Sequence, residues 1–374
     1  MNTEPFISGN VGSGTVQELA DWIQYTNAGN ESPMSKLRTE NGRSEPWAVK
    51  YWGAGNEAWG CGGNMRPEYY VDLYRQYATY MATADKNIYR IAAGGYSDHY
   101  TWTEVLMKNI PLKLMEGISL HHYSVLSWTD KGPSTEFTED HYFATMQKAL
   151  AMDTHIQKHS NIMDKYDPEK TVGLIVDEWG GWYDVEPETN PGFLYQQNTM
   201  RDAMIAGTTL NIFNNHCERV KMANLAQTIN VLQAVILTQE EKMLLTPTYH
   251  VLDMYKVHQD AKMIPIHIKS GDYQKGDEKL KAISASASIN SDGKVHISIV
   301  NIHAHQAQEV QISLRGMNAT TLAGSILTAD KIQAHNTFDA PNRIQISDFN
   351  GAKLDGDNLL VTIPPFSVVV LGVE

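Results

Sequence analysis

Two glutamates in this sequence end apolar, strand-like runs and stand among aromatic residues and glycines. Glu57 ends the run KYWGAGNE at residues 50–57, and Glu178 ends the run LIVDE at residues 174–178. Two carboxylates on separate strands suit the cleavage of a glycosidic bond, in which one acts as acid and base and the other as nucleophile. Aromatic side chains supply flat apolar surfaces against which sugar rings pack. Either glutamate alone is also explained by an ion pair at the edge of a sheet, but the pair favours catalysis.

The elements that would position these glutamates alternate along the first two thirds of the chain. Short apolar runs alternate with amphipathic helical stretches, which is the pattern of parallel βα units. Because substrates bind at the carboxyl ends of parallel strands, both glutamates are expected at that edge. The predicted strands are residues 5–11, 48–55, 89–94, 117–123, 172–177 and 219–226, and the predicted helices are 15–25, 68–83, 139–159, 193–212 and 248–257.

The pattern changes near residue 262 to apolar and polar alternation interrupted by turn residues. Residues 282–289 and 294–300 flank Asn290-Ser291-Asp292-Gly293, which predicts a β-hairpin. Further strands are predicted at 309–314, 325–327, 359–363 and 366–371. The chain is therefore expected to form a (β/α) domain at residues 1–261 and an all-β sandwich at residues 262–374.

Composition restricts the partners. The 374 residues carry 43 acidic and 30 basic side chains and a formal net charge of −13, which argues against nucleic acid and anionic membranes. No apolar run approaches the roughly 20 residues that span a bilayer. The first residues lack a basic and apolar leader, so a cytoplasmic location is expected. Cys61 and Cys217 make no disulfide framework, and each is expected to be a buried thiol.

The run YWGAGNEAWGCGGNM at residues 51–65 resembles the α-L-arabinofuranosidases of glycoside hydrolase family 51. Shorter matches lie along essentially the whole chain: NVGSGT at 10–15, LHHY at 120–123, DEW at 177–179, NLAQ at 224–227, NTFDAPN at 336–342 and PPFS at 364–367. The resemblance implies a (β/α)8 TIM barrel followed by an antiparallel β-sandwich of jelly-roll type. It also implies release of terminal α-L-arabinofuranosyl groups from arabinose-containing oligo- or polysaccharides with retention of configuration.

By this resemblance Glu57 is the general acid/base and Glu178 the nucleophile. The physics agrees with this division if the ionised partner raises the pKa of Glu57 in the free enzyme and the rise is lost once Glu178 is esterified, which carboxylates about 5 to 5.5 Å apart would permit. Asn56 would bind the sugar 2-hydroxyl, although an Asn after a strand is also an ordinary turn residue. Tyr123 would place its hydroxyl against Glu178 and fix its orientation.

Two further residues are assigned to the substrate by the resemblance. Gln227 would reach the sugar hydroxyls from the last strand, and Trp182 would form a wall of the pocket. Considered without the resemblance, Tyr123, Gln227 and Trp182 are each explained by ordinary packing.

Histidines raise the question of a metal. His121 and His122 are neighbours in a strand, so they point to opposite faces and cannot easily share one ion. His155 and His159 are spaced i, i+4 on a predicted helix, but no third ligand is apparent, and a solvated helix face explains them better. No metal and no cofactor are expected.

The sequence departs from the family at its start. When Glu57 is placed after the fourth strand, only strands three to eight of the barrel are present. Either the chain is a C-terminal fragment of a longer protein or another chain supplies the missing strands. An unclosed barrel exposes strand edges that promote association, so the chain is expected to be weakly active or inactive unless it is complemented. A homo-oligomer is also expected.

Two other functions stay open. An endoglucanase or β-xylosidase shares the same scaffold and carboxylates, because loops set substrate choice on a common fold. A non-catalytic sugar-binding fragment is the alternative outside the enzymes.

Overall fold

The computed structural model describes residues 3–317 and 319–374. The chain divides into two compact units. The first contains residues 1–122, 155–177 and 218–223, and the second contains residues 123–154, 178–217 and 224–374.

A six-stranded sheet in strict chain order organises the first unit, and every predicted strand of this region is confirmed. Its strands are β1 (Phe6–Gly9), β2 (Tyr51–Ala54), β3 (Tyr89–Ala92), β4 (Gly117–Ser124), β5 (Gly173–Gly181) and β6 (Val220–Leu225). The pairings of β1 with β2, β2 with β3 and β3 with β4 are parallel. Residues 172–176 are buried throughout, as expected for a parallel strand covered on both faces. The unit boundary falls inside β4, β5 and β6.

Seven helices connect or follow these strands in the described residues: α1 (Val16–Asn27), α2 (Pro33–Glu40), α3 (Pro67–Ala84), α4 (Tyr100–Asn109), α5 (Glu139–Asp164), α6 (Met200–Asn215) and α7 (Pro247–Tyr255). Pro67 occupies the first turn of α3, where its missing N–H costs no hydrogen bond. The sequence did not predict α2 and α4. The predicted start of α6 at residue 193 is wrong, because the Thr199 side chain caps the helix and Phe193 lies in a separate 3₁₀ turn.

Short strands build the β part of the second unit: β7 (Ile236–Gln239), β8 (Lys242–Leu245), β9 (Lys262–Ile264), β10 (Asp272–Lys275), β11 (Glu278–Lys281), β12 (Ile283–Ile289), β13 (Val295–Asn301), β14 (Gln308–Ser313), β15 (Leu322–Leu327), β16 (Ser347–Asp348), β17 (Ala352–Asp355), β18 (Asn358–Ile363) and β19 (Ser367–Val373). The predicted hairpin is confirmed as β12–β13. A sheet ordered β16-β15-β19-β13-β12-β9 and a sheet ordered β14-β18-β17 share one apolar core, which contains Ile299 and Val369 from the first and Leu359 and Val361 from the second. This is a two-sheet sandwich.

Within residues 3–317 and 319–374, every helix is too short or too polar to cross a bilayer.

Candidate active site

The turn after β2 holds Glu57 in the first unit. The backbone of Glu57 has a φ of 44°, and its carbonyl accepts hydrogen bonds from Gly60 N at 2.8 Å and Gly62 N at 3.0 Å. A Cβ at Gly62 would lie 1.8 Å from the Asn56 carbonyl oxygen, so the turn closes this tightly only with glycine there. Asn56 is exposed directly before Glu57. Two adjacent residues of the predicted site thus stand on a turn fixed by its own backbone.

A chain of ionisable groups connects Glu57 to β4 and β5. His121 Nδ1 lies 2.8 Å from Glu57 Oε1, and His121 Nε2 lies 3.3 Å from Asp177 Oδ1. The side chain of His121 is 4% exposed, whereas that of Glu57 is 22% exposed and open to a ligand. No sequence pattern connects His121 with Glu57, because the two are 64 residues apart.

The condition of a raised Glu57 pKa is not met. The pKa is lowered, chiefly by the hydrogen bond from His121; burial opposes this by raising it, and a hydrogen bond from Cys61 and the charge of His121 add to the lowering. Cys61 Sγ lies 3.2 Å from Glu57 Oε2. Both carboxylate oxygens therefore have a neighbour that favours the ionised form.

The second unit holds Glu178 together with two of the predicted site residues. The Tyr123 hydroxyl donates a 2.7 Å hydrogen bond to Glu178 Oε2, so the predicted contact is present. Trp182 packs edge-on against Tyr123, with ring centroids 4.9 Å apart. Trp182 in turn contacts Trp128, whose ring centroid is 5.4 Å away and which the sequence analysis did not single out.

Gln227 lies exposed just after β6. Its peptide bond with Ala226 is cis, and its backbone N–H donates to the carbonyl of Leu232 at 2.7 Å. Its predicted contact with sugar hydroxyls stays a prediction.

His155 and His159 do not form a solvated helix face, so that prediction is wrong. His159 is completely buried, and its Nε2–H donates to Ser97 O at 2.8 Å while Nδ1 lies 2.8 Å from Thr103 Oγ1. A neutral imidazole with one donor and one acceptor satisfies both contacts. Burial lowers the pKa of His159 to about 4. His155 lies 3.0 Å from the Tyr100 hydroxyl. Partners on α4 and the loop before it, invisible in the helical spacing, explain both side chains.

His121 and His122 do point to different surroundings, as predicted from strand geometry. His122 Nδ1 lies 2.9 Å from Ser97 Oγ, and its ring contacts the His155 ring at a tilt of 50°, with centroids 4.9 Å apart. The expectation that both cysteines are buried is wrong, because Cys61 and Cys217 are exposed.

A parallel α/β sheet with glutamates after β2 and within β5, followed by a β-sandwich, fits the class of glycoside hydrolases that use two carboxylates. Two family descriptions match the chain: "Alpha-L-arabinofuranosidase 1 domain" over residues 8–166 and "Alpha-L-arabinofuranosidase C-terminal domain" over residues 177–367. The chain belongs to the α-L-arabinofuranosidases of glycoside hydrolase family 51.

Three relatives illustrate the similarity. An intracellular exo-α-L-arabinofuranosidase of Bacteroides ovatus is 47% identical over the whole chain, which spans 73% of that relative. The crystal structure of a family 51 arabinofuranosidase from Xanthomonas axonopodis pv. citri matches with a TM-score of 0.97 and 44% identity, covering 100% of this chain and 76% of that one. An α-L-arabinofuranosidase from Thermotoga maritima, solved as an arabinose complex, matches with a TM-score of 0.85 and 26% identity, covering 99% and 76%. The matched regions of these structures share the parallel sheet and the C-terminal β domain of this chain.

Proposed function

We propose that this chain removes terminal non-reducing α-L-arabinofuranosyl residues from arabinose-containing oligo- or polysaccharides, with retention of configuration. One observation carries the proposal: this family 51 chain holds two glutamates by side-chain contacts. Glu57, after β2, contacts His121 and Cys61, and Glu178, in β5, accepts a hydrogen bond from Tyr123. A sugar-binding fragment would not need two carboxylates oriented in this way.

In the proposed first step, Glu178 attacks the anomeric carbon and the bond to the leaving oxygen breaks. The hydrogen bond from Tyr123 fixes the orientation of the Glu178 carboxylate that makes this attack. The product is a glycosyl ester of Glu178, which water cleaves in the second step. Two inversions at one carbon give net retention.

Glu57 must deliver a proton to the leaving oxygen, although its own pKa is lowered. We propose that the proton resides on His121, 2.8 Å away, in the resting enzyme. A carboxylate on each side of the imidazole, Glu57 and Asp177, favours its protonated form. As the leaving oxygen develops negative charge, the proton moves from His121 to Glu57 and Glu57 protonates that oxygen. In the second step ionised Glu57 takes a proton from water.

Three other residues are proposed to bind the sugar. Asn56 would donate to the 2-hydroxyl, where hydrogen bonds strengthen as the transition state develops charge. Trp182 would form an apolar wall, and Gln227 would contact hydroxyl groups. The exposure of Asn56 and Gln227 beside their strand ends supports these roles.

The finer architecture is also a proposal. We propose that β1 to β6 are strands three to eight of an eight-stranded barrel, because barrel strands are adjacent in chain order. We place the catalytic domain at residues 1–261 and a jelly-roll sandwich at 262–374, which the start of β9 at Lys262 supports. The name of the Bacteroides relative supports a location inside the cell. Light scattering would show whether the chain forms the homo-oligomer expected from the resemblance.

The decisive experiment follows an aryl α-L-arabinofuranoside by proton NMR. Retention predicts that α-arabinofuranose forms first and mutarotates later, whereas first formation of the β-anomer contradicts the mechanism. Glu178→Ala should abolish turnover, while Glu241→Ala, an exposed residue in the β7–β8 turn, should leave it unchanged. Faster hydrolysis of an aryl xyloside or a soluble glucan would favour the xylosidase or endoglucanase alternative instead.

A further inference from the structure

Trp128 is the most exposed tryptophan in the described part of the chain, with 62% of its surface accessible. It lies in the loop between β4 and α5, in the second unit. An indole on the surface leaves a large apolar area in water, which a ligand with an apolar face would cover. Exposure of a single side chain is common, so the case for a ligand depends on the loop and on the neighbouring rings.

The loop around Trp128 is ordered by its own polar contacts. Ser127 Oγ accepts hydrogen bonds from the backbone N–H groups of Thr129 and Asp130, both at 3.1 Å. Lys131 Nζ donates to the Trp128 carbonyl at 3.2 Å. Side-chain contacts of this kind define a turn. The indole is thus presented from a turn with a fixed shape and needs little reorganisation to bind a ligand.

Trp128 also ends a row of aromatic rings that begins at Glu178. Tyr123 donates to Glu178, Trp182 packs on Tyr123 at 4.9 Å, and Trp128 packs on Trp182 at 5.4 Å. The planes of the two indoles are 88° apart, so Trp128 touches Trp182 without stacking face to face on it. Lys131 Nζ lies 5.7 Å above the Trp182 ring. Tyr123 is therefore the ring next to Glu178, and Trp128 is the outermost ring of the row.

We propose that Trp128 is the platform for the sugar residue to which the arabinose is attached, a neutral pyranose or furanose unit of the glycan backbone. The inference rests on the proposed function, because it assigns the bound arabinose to Glu178 and the leaving-group sugar to the outer ring of the row. The C–H groups on one face of a sugar pack on an indole, and the hydroxyl groups remain in water. Trp128 then sets the preference for glycan over small leaving groups.

A comparison of two substrates tests the platform. The substrates are an arabinofuranosyl-substituted xylo-oligosaccharide and methyl α-L-arabinofuranoside, whose leaving group ends before the platform. Trp128→Ala should raise KM for the oligosaccharide roughly tenfold, while KM for the methyl glycoside changes much less. Trp128→Phe keeps an aromatic face and should recover most of the loss. Trp47→Ala, an exposed tryptophan stacked on Tyr25 in the first unit, is the matched control and should alter neither substrate.

If Trp128→Ala raised KM equally for both substrates, Trp128 would only support Trp182, and the proposal that it binds the leaving-group sugar would be wrong. No effect on either substrate would overturn it as well. If the wild-type chain, supplied with the missing strands, cleaves neither substrate, the proposed function fails first. Calorimetric titration with the oligosaccharide then tests the platform separately: binding weakened by Trp128→Ala and restored by Trp128→Phe supports it, and unchanged or absent binding refutes it.

Discussion

Replacing His121 with Asn tests where the catalytic proton is stored. The change removes a basic group 2.8 Å from Glu57 Oε1 and 3.3 Å from Asp177 Oδ1, and it leaves a polar side chain of smaller size. Glu57 then has to carry the proton alone. We expect the alkaline limb of kcat/KM for an arabino-oligosaccharide to move to lower pH.

The size of the shift follows from the groups involved. In the wild-type pair the proton is held by an imidazole whose ordinary pKa is about 6.5, and in the variant by a carboxyl whose ordinary pKa is about 4.3. The alkaline limb should therefore move down by roughly two pH units. At pH 7 this corresponds to about a 100-fold smaller protonated fraction, and the oligosaccharide rate should fall by a similar factor. The pH limbs report the pair and not either residue alone.

The assay measures kcat/KM from pH 4 to pH 9 on the oligosaccharide and on 2,4-dinitrophenyl α-L-arabinofuranoside, whose leaving group needs no proton. The dinitrophenyl substrate should lose little in His121→Asn. His122→Asn is the matched control, because it makes the same change at the adjacent buried residue, whose Nδ1 faces Ser97. An unchanged alkaline limb in His121→Asn, or the same shift in His122→Asn, would refute the proposal that His121 holds the catalytic proton.

Three further outcomes are expected. Glu57→Ala should lower kcat/KM at least about 100-fold on the oligosaccharide but far less on the dinitrophenyl glycoside, and equal losses would contradict its role as acid. Tyr123→Phe removes the 2.7 Å hydrogen bond to Glu178 and should lower kcat roughly 10- to 100-fold with little change in KM, measured by steady-state kinetics. The pKa of buried His159 is lowered to about 4, whereas in the unfolded chain it is about 6.5. Between these pH values the imidazole is protonated in the unfolded chain and neutral in the folded one. Stability should be fully present above pH 6.5 and fall by about 3 kcal/mol toward pH 4, as urea unfolding would show, and a fall just as large in His159→Asn would contradict this origin.

The parallel strands could be predicted from sequence because burial on both faces leaves an unmistakable apolar run, as in residues 172–176. The start of α6 was missed because Phe193 continues the apolar periodicity, although it is 69% exposed. The signal that decides the boundary is the capping box formed by Thr199 and Asp202. At this helix end, the capping box predicts the first residue better than the apolar periodicity does.

The site was predictable only as far as its motifs extend. Glu57 and Glu178 stand in recognisable runs, whereas the contact of His121 with Glu57 joins residues 64 positions apart. The direction of the Glu57 pKa depends on that contact and could not be obtained from composition. His159 was misinterpreted for the same reason, because its partners Ser97 and Thr103 lie more than 50 positions away.

The left-handed backbone of Glu57, with a φ of 44°, has a consequence for engineering. A residue other than glycine in this region costs about 1 to 2 kcal/mol, and glycine would relieve that cost while removing the carboxylate. Selection for heat resistance alone would therefore enrich Glu57→Gly, a chain that is more stable but has lost its catalytic acid. A thermostabilisation library should keep this codon fixed, or screen every survivor for turnover on a natural glycan, because the residue that stabilises this turn is not the residue that protonates the leaving group.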